Sequence, residues 1–375
     1  MKFYIIAGEA SGDLHGGNLL KALKAHASDV QCRAWGGDLM QQAGATLVKH
    51  YRELAFMGFI EVAKNLRTIL KNIDFCKTDI LNYKPDAIIL IDYPGFNLRI
   101  AKWAKMQGIR VIYYISPQIW AWHQSRVHAI KRDVDQMLVI LPFEKSFYQQ
   151  FDMEVAYVGH PLLDAIVQSM QHEPSKPVSA DKPIIALLPG SRKQEVQRIL
   201  PRMLSVTADF PEYQFVVAGA KSLPEDIYIQ IMKPYSEVRF VKDQTYDLLR
   251  QSKAALVKSG TSTLETALFD VPQVVCYAGS TVSYHVAKRL IKVPYISLVN
   301  LVASAPLVRE LIQAELNRTN LKLALSEILN EEKAAKIKQD YAKLRTLLGG
   351  GGASDKAAVN ILEYLKGRSN FSYNF

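Results

Sequence analysis

Residues 258–265, Lys-Ser-Gly-Thr-Ser-Thr-Leu-Glu, form a turn suited to a phosphorylated ligand. The apolar run Ala254–Val257 before it reads as a buried strand, and Thr266–Phe269 after it continues a helix. Ser259, Gly260, Thr261, Ser262 and Thr263 then make a strand-to-helix turn. Glycine lets the backbone come close to a ligand, hydroxyls cap helices, and a helix start presents free N–H groups to an anion. Glu265, about one turn further on, can take two sugar hydroxyls, or it can close a capping box with Ser262. A second turn of the same kind is Leu188-Pro-Gly-Ser-Arg192, in which Gly190 and Ser191 supply N–H groups and Arg192 a bidentate phosphate contact. Asn300, in Tyr295–Leu301, can orient a further diphosphate oxygen or a sugar hydroxyl.

Acidic residues occupy other turns. Gly8-Glu-Ala-Ser-Gly-Asp13 is neither a dinucleotide fingerprint, nor a P-loop, nor a nucleophile elbow. It is a glycine-rich turn with Glu9 and Asp13 at a helix start, and Asp13 alone fits simple dipole stabilisation. The run Ala87–Asp92 ends in a carboxylate and is followed by Tyr93-Pro-Gly-Phe-Asn97, which makes Asp92 a candidate general base. In Tyr114–Trp122 an extended chain would turn Trp120 and Trp122 to one side, as a platform for sugar rings or acyl chains or as core packing. His123, Arg126, His128, Lys131 and Arg132 add positive charge after them. Asp133-Val-Asp135 has the DxD spacing of metal-dependent sugar transferases, but it leads into a strand instead of ending one. No other spacing suits a metal, so neither metal nor cofactor is expected.

The elements that must hold these residues alternate strand and helix. Strands are read at Phe3–Ala7, Val30–Trp35, Ala87–Asp92, Val111–Ser116, Met137–Leu141 and Val155–Gly159. Helices are expected over 12–26 and 95–107. A Pro-rich, charged break at Gln171–Pro183 reads as a linker, after which Ile184–Leu188, Gln214–Ala218, Val238–Val241, Ala254–Val257 and Gln273–Tyr277 begin a second series. Continuous apolar strands alternating with helices predict an α/β fold of two Rossmann-like domains, 1–170 and 184–348, with a cleft between them at the carboxyl ends of the strands. Gly349–Gly352 is a hinge before an amphipathic helix, Asp355–Lys366, expected on the first domain or on the partner of a homodimer.

The 375 residues suffice for two domains, and a net charge of +10 favours anionic partners. No RNA-binding aromatic motif or zinc finger is present, so nucleic acid is not expected. Three distant cysteines indicate a reducing compartment, and no apolar run reaches membrane-spanning length. The N-terminus is too short for a signal peptide before its first turn, which predicts a cytoplasmic protein. Glu61–Ile80 reads as a basic amphipathic helix, either packed on the sheet with a solvated basic face or, as Met57, Phe59 and Ile60 before it favour, touching a membrane through Leu66, Ile69, Leu70 and Ile73.

Seven blocks in order, GEASGD, IDYPGFN, ISPQIWAW, LPFEKSFY, LPGSR, SGTSTLE and SLVNL, resemble those of the lipid-A-disaccharide synthase family. That family is a glycosyltransferase group of the two-Rossmann (GT-B) type. The departure is Arg309, where the family pattern has Pro. The resemblance implies inverting, metal-independent transfer of 2,3-diacylglucosamine from UDP-2,3-diacylglucosamine to 2,3-diacylglucosamine 1-phosphate (lipid X). The products are the β(1→6) lipid A disaccharide 1-phosphate and UDP. It implies that Asp92, or its rival Glu9, is the base. Gly190, Ser191, Arg192, Ser259–Thr263 and Asn300 would serve the diphosphate and Glu265 the ribose. Ser11, Asp13, His15, Asn97, Gln118, Trp120 and Trp122 would line the acceptor side of the cleft, and the enzyme would sit on the cytoplasmic face of the inner membrane. A UDP-sugar 2-epimerase on the same fold and a non-catalytic anionic-lipid-binding protein are the alternatives.

Overall fold

The computed structural model describes residues 1–53, 66–171, 178, 181–279 and 293–367, without the side chains of Leu66 and Trp122. The chain divides into two units, Met1–Asp164 together with the stretch from Gly350 onward, and Ala165–Gly349. Each is built on one parallel sheet.

The first sheet has seven strands: β1 (Lys2–Ala7), β2 (Gln31–Gly36), β3 (Thr46–His50), β4 (Ala87–Ile91), β5 (Arg110–Tyr114), β6 (Gln136–Val139) and β7 (Ala156–Tyr157). Their order is β3-β2-β1-β4-β5-β6-β7. The central β1 and β4 are buried on both faces, so they read as unbroken apolar runs and not as alternation. Truncating Ile89, which is fully buried, would cost about 2–5 kcal/mol. The helices are α1 (Ala10–His26), α2 (Asp38–Gln42), α3 (Leu66–Tyr83), α4 (Pro94–Met106), α5 (Ile119–Trp122), α6 (Val127–Asp133), α7 (Pro142–Gln149) and α8 (Pro161–Met170). The division between the units falls within α8.

The second sheet has six strands: β8 (Ile184–Leu188), β9 (Gln214–Gly219), β10 (Arg239–Lys242), β11 (Ser252–Lys258), β12 (Gln273–Tyr277) and β13 (Arg309–Ile312). Their order is β10-β9-β8-β11-β12-β13. Alternate residues go to opposite faces. Ile185, Leu187, Leu256 and Val274 join one apolar layer with Val196, Ile199 and Leu200 of α9 (Lys193–Leu204). Ile184, Ala186, Leu188 and Val257 join the other with Leu248 and Leu249 of α11 (Thr245–Gln251), which follows α10 (Asp226–Met232). Next come α12 (Thr261–Leu268), α13 (Leu298–Ala303), α14 (Arg318–Leu329) and α15 (Glu331–Leu347).

After α15 the chain turns through Gly349, Gly350 and Gly352, all at positive φ. The last helix, α16 (Ala353–Leu365), packs along α1 with Ala353, Ala357, Ala358, Ile361 and Leu362 buried. Asp164 accepts from the N–H groups of Gly352 (2.6 Å) and Ser354 (3.0 Å), which anchors the start of α16. Farther along, His26 meets Asp355 at 2.6 Å and Gln136 donates to the Asn360 carbonyl at 3.2 Å.

Two strands lie outside the sequence expectations. β3 and β13 are edge strands whose residues, Thr-Leu-Val-Lys-His and Arg-Glu-Leu-Ile, lack an apolar run because an edge is half exposed. Arg309 opens β13 opposite Val274, and its guanidinium reaches Glu327 at 3.3 Å. The expected basic helix is described only from Leu66, and the part over 61–65 lies outside the described residues. Ile73 is 4% exposed and belongs to the core, which removes it from a membrane-facing set. Leu70 is 48% exposed and Ile69 half-buried. The aromatic tail 369–375 also lies outside the described residues.

Candidate active site

In both sheets the strand order reverses at a switch point, between β1 and β4 and between β8 and β11. Ligands of open parallel sheets bind at such points, beyond the carboxyl ends of the strands. The turns singled out in the sequence leave those strands.

In the first unit Ala7, Ile91 and Tyr114 are paired across β1, β4 and β5, so the loops beginning near Glu9, Asp92 and Ser116 start side by side. Asp92 and Tyr93 are both left-handed, with φ of 44° and 49°. Non-glycine residues there are strained by about 1–3 kcal/mol each and persist only where their surroundings hold them. The holders are Asn97 and Tyr113. The Asn97 amide donates to the Asp92 carbonyl at 2.7 Å and to that of Ile91 at 3.2 Å, while the Tyr113 hydroxyl donates to the same Asp92 carbonyl at 2.6 Å. Pro94, with its preset φ, then opens α4. The Asp92 residue is left exposed. The Tyr93 ring lies against Gly8, where an added Cβ would come within 2.4 Å of it. Burial, and next to it the nearby charge of Glu9, raise the Tyr93 pKa. Burial, with the charge of Asp92 next, drives the buried Tyr113 hydroxyl far above its ordinary range; the charge of Arg126 acts in the opposite sense.

Three other expected acceptor-side residues, Asp13, Asn97 and His15, are buried. Asp13 is buried and accepts from the N–H groups of Gly37 (2.7 Å), Leu39 (3.1 Å) and Met40 (3.0 Å), so its carboxylate caps α2 and does not face a substrate. Asn97 is fully buried and acts through the Asp92 turn. His15 is buried, and its Nδ1 has no hydrogen-bond partner among the described residues. Burial lowers its pKa to about 4, against the opposing charge of Asp164. His160 falls to about 3, first through burial and then through His15. Ser11 and Gln118 are exposed.

The chain at Ile119–Trp122 is a helical turn, so the premise of an extended run with both indoles on one side fails. Trp120 is buried, sets its ring edge-on to Phe143, and donates its indole N–H to Glu144 at 3.2 Å. It is a core residue, and the Trp122 side chain lies outside the described set. Glu144 also accepts from the N–H groups of Ile140 (3.1 Å) and Leu141 (2.9 Å). Burial pushes its pKa up to about 7 in spite of these bonds. Asp135 accepts from the N–H of Val111 (2.8 Å), and Asp133 pairs with Arg132, so the DxD spacing serves strand and helix ends. Among the described residues no group of three or more His, Cys, Asp or Glu is gathered as for a metal ion.

In the second unit the LPGSR turn leaves β8 and the KSGTSTLE turn leaves the adjacent β11, with Leu188 paired to Val257. Ser191, Arg192 and Thr261 are exposed, and Gly190, Gly260 and Ser262 partly so. These residues and the first N–H groups of α12 can receive an anion. The remaining hydroxyls are engaged. Ser259 donates to the Ile296 carbonyl at 2.7 Å, and the buried Thr263 donates to the Gly260 carbonyl at 2.8 Å. Gly260 is the N-cap of α12, so Ser262 and Glu265 do not form a capping box there. Glu265 instead accepts from the Tyr246 hydroxyl at 3.0 Å, and burial raises its pKa. Asn300 is 1% exposed, and both ends of its amide are bound. Its Nδ2 donates to the Val308 carbonyl (2.8 Å) and Glu310 (2.9 Å), while its Oδ1 accepts from the Val308 N–H (2.9 Å). It holds β13 and is not presented to a diphosphate.

The structure adds Tyr113 and Glu144, which the sequence reading did not single out. Tyr113 lies within an apolar strand, and nothing local marks its hydroxyl as the one beneath Asp92. Glu144 carried a signal in hindsight, an acid three residues after the strand-end Leu141.

Comparison with known proteins gives the family and agrees with the two-sheet fold. The family model for lipid-A-disaccharide synthetase matches residues 3–362. The lipid-A-disaccharide synthase of Syntrophus aciditrophicus is 41% identical over 372 residues, covering 96% of this chain and 97% of that protein. The synthase of Trichlorobacter lovleyi is 39% identical over 375 residues, with 96% and 97% covered. Among solved structures, the UDP-GlcNAc 2-epimerase of Neisseria meningitidis bound to UDP-GlcNAc superposes with a TM-score of 0.69 at 14% identity, covering 97% of this chain and 100% of that one. A kitacinnamycin glycosyltransferase gives 0.65 at 14% identity, with 97% and 98% covered. At such identities these two structures speak for the fold alone.

Proposed function

The chain belongs to the lipid-A-disaccharide synthase family, and from that premise we propose how its residues divide the reaction. It is a UDP-sugar glycosyltransferase that transfers 2,3-diacylglucosamine from UDP-2,3-diacylglucosamine to 2,3-diacylglucosamine 1-phosphate, forming the lipid A disaccharide 1-phosphate and UDP. The reaction is a single displacement. The acceptor 6-hydroxyl loses its proton to a base and attacks the anomeric carbon, while the bond to the UDP oxygen breaks. Asp92 is the base. The observation that carries this is its backbone, strained into the left-handed region and pinned through its carbonyl by two buried side chains. Strain held in this way at a switch point supports a functional role for the exposed carboxylate. Glu9, whose charge reaches Tyr93 next to Asp92, is the second candidate. Arg192, Ser191 and the amide groups of the Gly190 and Gly260 turns take the developing charge on the diphosphate. Glu265 takes the ribose hydroxyls.

Purified protein is incubated in EDTA with the UDP donor, with and without the monosaccharide 1-phosphate, beside Asp92→Asn and Glu9→Gln. Acceptor-dependent UDP and disaccharide are expected. A loss of about 100-fold or more in kcat is expected for Asp92→Asn with UDP binding kept. Full activity in that variant and loss in Glu9→Gln would move the role to Glu9. UDP release without acceptor dependence would favour an epimerase-like reaction.

No helix among the described residues is long and apolar enough to cross a membrane. We infer that the enzyme meets its acylated substrates by docking on the cytoplasmic face of the inner membrane. The outer face of α3, with Arg67, Leu70 and Lys71 exposed, supports this reading.

A further inference from the structure

Between the two glycine turns of the second unit lies a carboxylate that neither motif includes. Glu195 stands on the first turn of α9, three residues after Arg192. Its Oε1 is 2.9 Å from the Nζ of Lys258, the last residue of β11, and 3.6 Å from a guanidinium nitrogen of Arg192. Glu195 and Lys258 are only 18% and 19% exposed, so water screens their attraction less than that of a surface pair. The carboxylate rests directly on the LPGSR turn. Gly190 has φ of +112°, and a Cβ there would come within 2.5 Å of the Glu195 Oε2. The Lys258 ammonium sits under the other turn, 3.6 Å from where a Gly260 side chain would begin.

We propose that Glu195 and Lys258 are positioning residues for the donor diphosphate, an ion pair that ties the Gly190 turn to the Gly260 turn and aims Arg192. The proposal rests on the reading of these turns as the diphosphate site. Two cations brought to one ligand repel each other. A carboxylate between them offsets that repulsion and leaves the trio with one net positive charge for the ligand. β8 and β11 hold the roots of the two turns in register, and the pair holds their tips. Loss of either charge lets the tips separate before the donor arrives, so binding of the donor suffers while the chemistry of the bound complex is kept.

The test uses the full chain, with UDP titrated calorimetrically and both substrates varied in steady state. Glu195→Gln and Lys258→Met are each expected to raise the UDP Kd and the donor KM about tenfold, with kcat and the acceptor KM changed by less than about threefold. The double variant should be no weaker than either single one, because the two side chains act as a unit. Glu195→Asp should recover part of the affinity. Arg192→Ala tests the underlying reading separately: unchanged UDP affinity there overturns the diphosphate site itself. Weakened binding in Arg192→Ala with wild-type binding in Glu195→Gln and Lys258→Met overturns the positioning role. A lower melting temperature in both with an unchanged donor KM also overturns it, since the pair would then only brace the fold. If Glu195→Gln does not fold, Lys258→Met carries the same comparison.

Discussion

Asp92 is held from below, and its hold can be loosened without touching the carboxylate. Tyr113→Phe removes one hydrogen bond to the Asp92 carbonyl and Asn97→Ala removes the other. Each should cost about 1–2 kcal/mol of stability and lower kcat by about tenfold or more as the strained turn relaxes. The UDP Kd should stay unchanged, because the proposed diphosphate turns belong to the other unit. Steady-state kinetics paired with UDP titration check this, and weakened UDP binding in Tyr113→Phe would contradict it. Asp92 itself was legible because a carboxylate ending an apolar strand is anomalous. Asn97 was legible only as a polar residue near it. Asp13 and Asn300 misled for a common reason. A buried polar side chain bound to backbone and one presented to a ligand have the same sequence signature, and only the partners tell them apart.

At the scale of the element, the central strands were readable because burial on both faces demands a continuous apolar run. The edge strands β3 and β13 were not, since half-exposed edges admit Lys, His, Arg and Glu. The run IWAW was ambiguous for a similar reason: short apolar stretches carry no period that separates a helical turn from a strand. Helix α3 shows what a period can and cannot say. Its apolar positions predict a helix, but not which apolar side chains face the sheet. Ile73 and Leu70 divide this question between them, one 4% and the other 48% exposed. Ile73→Ser should lower stability by roughly 2–4 kcal/mol, read as a fall in melting temperature. Leu70→Ser should leave the melting temperature nearly unchanged and weaken binding to anionic vesicles in a sedimentation assay. Vesicle binding equal to wild type in Leu70→Ser would exclude this face as the docking surface.

Across the whole molecule, His15, His160 and Glu144 carry large pKa shifts among the described residues that bear on mild acid. His15 and His160 are neutral in the fold down to about pH 4 and 3, whereas the unfolded chain takes up their protons below about 6.5. Their contribution is complete above pH 6.5 and is lost as the pH falls. At pH 5 that loss is about 2 kcal/mol for each. Glu144 works in the opposite sense. Its folded pKa of about 7 lies above the ordinary 4.5, so the fold gains a proton before the unfolded chain does. Between pH 7 and 5 this returns about 2 kcal/mol. Glu265, whose pKa burial also raises, acts in the same sense as Glu144. The balance of the other three is a net loss of about 2 kcal/mol, expected as a lower melting temperature at pH 5 than at pH 7. The drop should shrink in His160→Asn and widen in Glu144→Gln; an identical drop in all three proteins would refute the assignment. The C-terminal helix has a consequence of a different kind, in the order of synthesis. The face of α1 that α16 covers is made within the first residues of the chain, yet its cover is encoded at Ala353–Leu365. At the usual pace of translation that face waits on the order of 20–60 s on the ribosome, while the whole second unit is produced and folds. The enzyme's first half is thus the last to be finished. A nascent chain stalled before Gly349 should present to trigger-type chaperones an apolar surface that the released protein hides.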